Sequence, residues 1–453
     1  MLFQERYRVT RLVRYAFAHA VRPTLKQMRF LPASLLFLGL SPVFAQTAPQ
    51  LTLHDLKEAE ALGSELYTNS GATGLVLVVV RGDKVFIRGY GETAPGSHIV
   101  PSEDSMMRLC SLTKIFTTDV LAKVVADGTV QLNDPLQKFA PAGASVPQSD
   151  EAITLFELAT HTAGLDREIG TAPRHTPHFT YPDFQTRWQW LSSTELKFAP
   201  GQQAYYSNIG YDLLSDALAN AAHTPYPTLL WSRTLDPLGM WETTYYPSAA
   251  QCARLMQSAY HDGPCTETEN TQGSSGLYST PVDMAKWLRY LVGPATPALP
   301  AQSDAAHAVY LLPSSLKFVY GIDHAGRPAG IGLGWMHLGA NDDVSHIIEK
   351  TGGGAGFTTY IAIHPASHTA LFVAATDGPP RARTQGPGLF STSTNGLLAL
   401  AGLPPLPEVP RRHAAARRFA HATPPASRHP RGKSARARYA ANRPTNSTKP
   451  ASQ

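Results

Sequence analysis

Ser111-Leu-Thr-Lys114 is the stretch on which the reading of the fold turns. A serine and a lysine three apart share one face of a helix, one turn apart. Leu112, Ile115, Phe116, Leu121, Val124 and Val125 continue the helical pattern, and Gly128 stops it. Two further short patterns follow in order, Tyr206-Ser-Asn208 and Lys350-Thr-Gly352. Together they supply a hydroxyl, two amines, a phenol and an amide. That inventory suits an enzyme that opens an amide bond through a covalent acyl-serine. Lys114 can take the proton of Ser111 only when neutral, and burial with a second cation nearby, such as Lys350, lowers the pKa of a lysine. A serine at a helix start also sets backbone N–H groups near developing negative charge.

Short patterns recur by chance. Ser314-Ser-Leu-Lys317 repeats the first spacing and Tyr67-Thr-Asn69 resembles the second. Order separates them. Only Ser111, Tyr206 and Lys350 place a serine first, a tyrosine in a helical middle and Lys-Thr-Gly on a late strand. Around these motifs, Leu53 to Thr68 reads as a helix. Gly74 to Val80 and Lys84 to Tyr90 read as strands of a hairpin turning at Arg81-Gly-Asp83. Helical stretches follow at Thr154–His161, Ile209–Ala222 and Pro281–Leu291. The chain then turns β-like at Ile331–Met336, His346–Glu349, Thr358–Ile363 and Thr369–Ala375, with a closing helix over Gly388–Leu400. Strands at both ends and helices between predict an α+β body. Its antiparallel sheet joins N- and C-terminal strands, is flanked by helices and carries an inserted, mainly helical region. A cleft between sheet and insertion is the natural place for a site.

Charge is unevenly spread over the 453 residues. Of 39 Lys/Arg and 34 Asp/Glu, residues 1–45 hold seven and one, and residues 411–453 hold eleven and none. That leaves 21 and 33 between 46 and 410, a net charge of −12. An acidic body argues against a nucleic-acid partner despite the overall +5. Residues 1–45 read as a signal peptide: Arg29 precedes an apolar stretch that ends at Val43-Phe-Ala45, with Met28 as an alternative start. The apolar run is shorter than a membrane span and holds Pro32 and Pro42. Residues 46–403 form the expected catalytic domain, and 404–453 a basic tail without periodicity. In an oxidising compartment Cys252 and Cys265 are the natural disulfide pair. Closing so short a loop contributes about 3 kcal/mol in the chain-entropy model. Cys110 reads as a small buried apolar residue.

The three motifs and their flanks resemble the serine β-lactamase and penicillin-binding protein superfamily. Tyr-Ser-Asn in place of Ser-Asp-Asn is the form of its class C β-lactamase-like branch. Leu132-Asn-Asp-Pro-Leu136, Leu158-Ala-Thr-His-Thr-Ala-Gly-Leu165, Pro200-Gly201, Pro237-Leu-Gly-Met240 and Gly276-Leu-Tyr-Ser-Thr-Pro281 agree with it. Gly71-Ala-Thr-Gly74, Tyr90-Gly-Glu-Thr93, Arg108-Leu-Cys-Ser-Leu-Thr-Lys114, Gln251-Cys252 with Cys265, and Lys350-Thr-Gly-Gly-Gly354 are most similar to the AmpH-type D-alanyl-D-alanine carboxypeptidase/endopeptidases. The resemblance spans Leu53 to Leu400. It implies that Ser111 is the nucleophile, with Lys114 and Tyr206 as its proton partners, the first base being open between them. It further implies that Asn208 orients the substrate amide and Lys114. Lys350 and Thr351 hold a carboxylate, and the N–H groups of Ser111 and Gly353 form an oxyanion hole.

The implied activity is a periplasmic serine D,D-peptidase acting on peptidoglycan peptides, with β-lactams as pseudo-substrates and neither cofactor nor metal. A class C-type β-lactamase and an esterase or D-aminopeptidase use the same groups. A non-catalytic binder would not need the intact nucleophile and lysines. The basic tail is expected to be drawn weakly to membrane or cell-wall surfaces. Each site residue also has a plain structural reading: Asn208 as a helix cap, Tyr206 as a core aromatic, Lys350 as a solvated strand end, Gly352–Gly354 as a turn. His161 is read as a helix-end residue, and His175 and His178 as loop residues, since no third metal ligand has sensible spacing.

Overall fold

Gly74-Leu-Val-Leu-Val-Val-Val-Arg81 lacks polar alternation, the mark of a strand covered on both faces. It forms β1 (Gly74–Arg81), of which only Arg81 is not fully buried. The computed structural model describes residues 53–406, apart from 148, 261, 294–303, 323–324, 340–344 and 380–387. The signal-peptide reading at 1–45 and the basic tail from 407 onward lie outside the described residues. Among those described, no helix is long and apolar enough to cross a membrane.

Six more strands complete the main sheet: β2 (Lys84–Gly91), β3 (Gly330–Ile331), β4 (Met336–Leu338), β5 (Ile347–Gly354), β6 (Phe357–His364) and β7 (Thr369–Thr376). Their order is β2-β1-β7-β6-β5-β4-β3, antiparallel throughout. Val78 of β1 lies opposite Phe372 of β7, so the sheet closes N-terminal strands onto C-terminal ones, as the α+β expectation requires. Five helices have twelve residues or more among the described residues: α1 (Leu53–Ser70), α2 (Thr113–Ala126), α3 (Asn208–Ala221), α4 (Pro281–Val292) and α5 (Leu389–Leu400). The period-two alternation of β1 divides the core. Leu75, Leu77 and Val79 pack with Leu62 and Leu66 of α1 and Leu397 and Leu398 of α5. Val76, Val78 and Val80 face the other way, into a larger core with Phe116 of α2, Leu213 of α3 and Trp287 of α4. Helix α2 is buried nearly all round, Lys114 included.

Two readings need correction, and one plain alternative, the turn at Gly352–Gly354, falls away. Ile331–Met336 is not one strand. Gly332 N–H bonds to the carbonyl of Trp335 (2.8 Å) and Gly334 adopts φ +75°, so the segment turns and splits into β3 and β4. Ser111 does not begin the α-helix; it sits in a 3-10 turn, Cys110–Leu112, that leads into α2. Gly352–Gly354 are strand, and the turn falls after them, where Ala355 and Gly356 have positive φ. A helix at Phe184–Leu191, capped by the Asp183 carboxylate accepting from Thr186 N–H (2.7 Å), went unread in the sequence.

The serine turn packs directly on β5, and one glycine permits it. A Cβ on Gly352 would lie 2.2 Å from Thr359 Oγ1, 2.9 Å from Leu112 Cδ1 and 3.0 Å from the Leu109 carbonyl oxygen. At the neighbouring Gly353 the nearest atom would be the Phe357 carbonyl oxygen, at 3.8 Å. Gly352→Ala should therefore cost about 2 kcal/mol of stability through overpacking, while Gly353→Ala should stay within about 0.5 kcal/mol of the parent. Urea unfolding of the two variants measures this. Equal losses would mean that the turn does not lean on the strand at Gly352.

Candidate active site

Two residues of strand, Met107–Arg108, pair with Tyr278–Ser279 and deliver the chain to the serine turn. Thr359 Oγ1 of β6 donates to the Leu109 carbonyl (3.0 Å). Cys110 then takes φ +52°, a left-handed conformation that costs a non-glycine residue about 1–3 kcal/mol and persists only where packing over-determines it. Its buried thiol donates to the Gly354 carbonyl (3.4 Å), and burial pushes its pKa up to about 12. The thiol is a packing group, and the hydroxyl beside it faces the cleft.

Ser111 Oγ lies 2.7 Å from Tyr206 Oη and 3.5 Å from Lys114 Nζ. The Lys114 ammonium, fully buried, also donates to Asn208 Oδ1 (2.6 Å) and to the Ser274 carbonyl (2.8 Å). Tyr206 and Asn208 are held by the residue between them. Ser207 caps α3, its Oγ accepting from Gly210 N–H (3.0 Å), so Asn208 is free of capping duty. The second amide atom of Asn208, Nδ2, donates to Glu168 Oε1. This fixes which end of the amide faces the ammonium.

Three cations surround the Tyr206 ring: Lys114 Nζ at 4.8 Å, Lys350 Nζ at 5.3 Å and Arg167 Cζ at 4.7 Å from its centroid. Burial alone would raise the phenol pKa, but the charges of Lys114 and Lys350, with the hydrogen bonds from Lys114 and Ser111, outweigh it and bring it down to about 8. Burial drives the Lys114 pKa down. The Tyr206 anion opposes this, and Lys350 adds to it. His161 stacks on Tyr206 at 4.4 Å, and its Nδ1 accepts the Ser207 N–H (3.1 Å). Burial, then Lys114, Lys350 and Arg167, hold this imidazole well below its usual pKa, so it is neutral.

Lys350 is buried on β5 and donates to the Thr351 carbonyl (2.9 Å). Strand β4 pairs β5 only as far as Glu349, which leaves the motif residues beyond it on an open stretch of strand edge. A cleft of about 170 Å³ runs past that edge, walled by Ser111, Tyr206, Thr351, Gly352 and Gly353 with Arg167, Gly321, Ile322, Thr358 and Phe390. A larger open hollow of about 690 Å³ lies against α1 and β2 and contains none of the motif residues.

Ser111, Lys114, Tyr206, Asn208, Lys350, Thr351 and Gly353 thus come together from three parts of the chain. Cys252 and Cys265 form a disulfide apart from them. The decoys stay outside. Ser314 is exposed and Lys317 donates to Gln202 Oε1 (2.8 Å), while Tyr67 stacks on Tyr90. His175 and His178 lie in turns. Sequence reading missed Arg167, Glu168, the Ser274 carbonyl and the contact of His161 with Tyr206. It also missed the support beneath. Asp212 accepts from Gly273 N–H and Ser274 Oγ (both 3.1 Å), and Asp216 takes Arg187 in a paired contact (2.7 Å twice). Two acids four apart in the apolar pattern of α3 were the available signal.

The fold is found in known proteins. A family model described as Beta-lactamase matches residues 59–390. The chain belongs to the β-lactamase family. Among its relatives is the D-alanyl-D-alanine-carboxypeptidase/endopeptidase AmpH of Escherichia coli K12, 44% identical over 315 residues that cover 69% of this chain and 82% of AmpH. A solved β-lactamase/D-alanine carboxypeptidase from Yersinia pestis, complexed with citrate, superposes with a TM-score of 0.71 at 38% identity, covering 77% of this chain and 98% of that one. The D-alanine carboxypeptidase AmpC of Burkholderia cenocepacia, at 21% identity and a TM-score of 0.60 over 78% of this chain and 99% of its own, shares the fold. Serine hydrolases of the β-lactamase and penicillin-binding protein type are therefore the homologues of this chain.

The charge arrangement has a direct spectroscopic consequence. In an ultraviolet difference titration one tyrosine should ionise near pH 8, ahead of the ordinary range near 10. Tyr206→Phe should remove that step. Lys350→Gln should move it upward, since a cation that favours the phenolate is lost. A step that survives Tyr206→Phe, or does not move in Lys350→Gln, contradicts the assignment.

Proposed function

We propose that this protein is an exported serine D-alanyl-D-alanine carboxypeptidase/endopeptidase that cleaves peptidoglycan peptides through an acyl-Ser111 intermediate and is acylated by penicillins at the same hydroxyl. The observation that carries the reading is the 2.7 Å contact between Ser111 Oγ and a phenol whose pKa is brought down to about 8. A hydroxyl is a weak nucleophile until a base stands within hydrogen-bond reach.

In this reading Ser111 Oγ attacks the carbonyl carbon before the terminal D-alanine, and its proton passes to the Tyr206 phenolate. Tyr206 is the closer of the two candidates. Lys114 has its hydrogens directed at Asn208, Ser274 and Ser111, so it acts as the cation that holds the phenolate. The negative charge on the carbonyl oxygen meets the N–H groups of Ser111 and Gly353. Losing one such donor costs about 3 kcal/mol in other enzymes. Collapse of the tetrahedral species expels the amine, which takes the proton from Tyr206. Water then repeats the sequence on the ester, giving its proton to the phenolate, and Ser111 leaves with that proton. Lys350 and Thr351, on the open edge of β5, hold the terminal carboxylate of the substrate, and Asn208 orients its amide.

Likeness to AmpH favours the peptidase over a β-lactamase on the same scaffold. Residues 1–45 serve as the cleaved export signal and 46–403 as the catalytic domain. The Cys252–Cys265 disulfide fits an oxidising compartment such as the periplasm. The basic tail, 404–453, adds weak attraction to anionic envelope surfaces.

Incubating the mature protein with a labelled penicillin and with a peptide ending in D-Ala-D-Ala tests the proposal. A long-lived adduct and release of D-alanine are expected, both falling about 10⁴-fold or more in Ser111→Ala. Rapid penicillin turnover without D-alanine release would instead make it a β-lactamase. Label that persists in Ser111→Ala would overturn the site.

A further inference from the structure

We infer that Arg167 is a specificity residue that holds a second carboxylate of the substrate, one carried on the acyl side of the bond that is cut by the residue before the two D-alanines. The inference rests on the peptidase reading above.

Asp166, Arg167 and Glu168 are three consecutive charges beside the cleft, and their fates differ. Asp166 pairs with Lys197 (2.6 Å) and Glu168 accepts from the Asn208 amide. The Arg167 guanidinium has no hydrogen bond or ion pair with the described residues; it lies over the face of the Tyr206 ring. It is exposed, and it walls the same cleft as Ser111, Thr351 and Gly353. Its backbone does not drift, because the Arg167 carbonyl accepts Asn208 N–H (2.9 Å) and Ile209 N–H (3.4 Å) at the start of α3. The guanidinium therefore rides on the frame that carries Tyr206 and Asn208.

A planar fork of donors stacked on an aromatic ring and open at its edge is suited to a carboxylate gripped at both oxygens. The body around it is acidic, with a net −12 over residues 46–410, yet both acids flanking Arg167 are tied elsewhere. Among the described residues no acid pairs with this cation, which leaves it open to a partner from outside. The leaving D-alanine cannot supply it, since its single carboxylate goes to Lys350 and Thr351 in the reading above. The penultimate D-alanine has only a methyl side chain, so a carboxylate at Arg167 sits on the residue before it.

The test uses two peptides ending in D-Ala-D-Ala that differ by one group. In the first, the residue before the two D-alanines is a diamino acid with a side-chain carboxylate. In the second, lysine replaces it. The kcat/KM for D-alanine release is measured with the wild type, Arg167→Gln and Arg167→Lys. The wild type should prefer the first peptide by about 10- to 100-fold, the range of a charge-assisted hydrogen-bonded pair. Arg167→Gln should erase most of that preference, chiefly through KM, and Arg167→Lys should keep part of it. A preference unchanged in Arg167→Gln, or a wild type with no preference, overturns the inference while leaving the peptidase reading intact. Equal losses on both peptides would make Arg167 a tuner of Tyr206 and also overturn it. Failure of the wild type to release D-alanine from either peptide overturns both readings.

Discussion

One buried ammonium organises the site. Taking a lysine charge out of water costs several kcal/mol unless it is paired and hydrogen-bonded. Besides Ser111, a turn before it, the partners of Lys114 come from far along the chain: Asn208 at the head of α3 and the Ser274 carbonyl. Satisfying this single group therefore ties α2, α3 and the 273–274 loop together. Asp212 reinforces the tie by accepting from both residues of that loop. Burial raises the Asp212 pKa to about 7, against the pull of Arg187 and Lys114, so at neutral pH the ammonium does not have a fully committed carboxylate beside it. The phenol of Tyr206 is left to complete the charge balance, and it sits against the Ser111 hydroxyl.

Packing brings that hydroxyl to the strand. The sheet is covered on both sides and gives β5 and β6 little room to yield. Against it the chain makes a turn in which Cys110 is left-handed, and beneath that turn Gly352 of β5 has no space for a side chain. Both are local costs that surrounding contacts sustain, and both lie next to Ser111. The result is a hydroxyl on a rigid corner facing an open strand edge, an arrangement that needs little reorganisation.

How much of this was legible in the sequence depends on what each residue contributes. The apolar run of β1 and the paired strand patterns at the two ends announced the sheet, because burial on both faces leaves a continuous signal. The break between β3 and β4 did not show, since Leu333 and Trp335 are buried whether the segment runs straight or turns. The motif residues could be found because three short patterns fell in one order. Ser274 acts through its backbone carbonyl, which no side chain advertises. Arg167 and Glu168 are exposed charges without periodicity, and only the fold puts them against Tyr206 and Asn208. His161 was read as a helix-end residue. It does follow the helix ending at Ala159, but its ring is spent on Tyr206.

The central claim is that the charges around Tyr206 make it the base for Ser111. The most direct measurement is the pH dependence of the rate at which a penicillin acylates the wild type and Tyr206→Phe. The phenolate form grows as pH rises, so the wild-type rate should climb through about pH 8 and level off above it, and Tyr206→Phe should be slow with that limb missing. A wild-type rate that is flat across this range, or a limb that persists in Tyr206→Phe, would contradict the account.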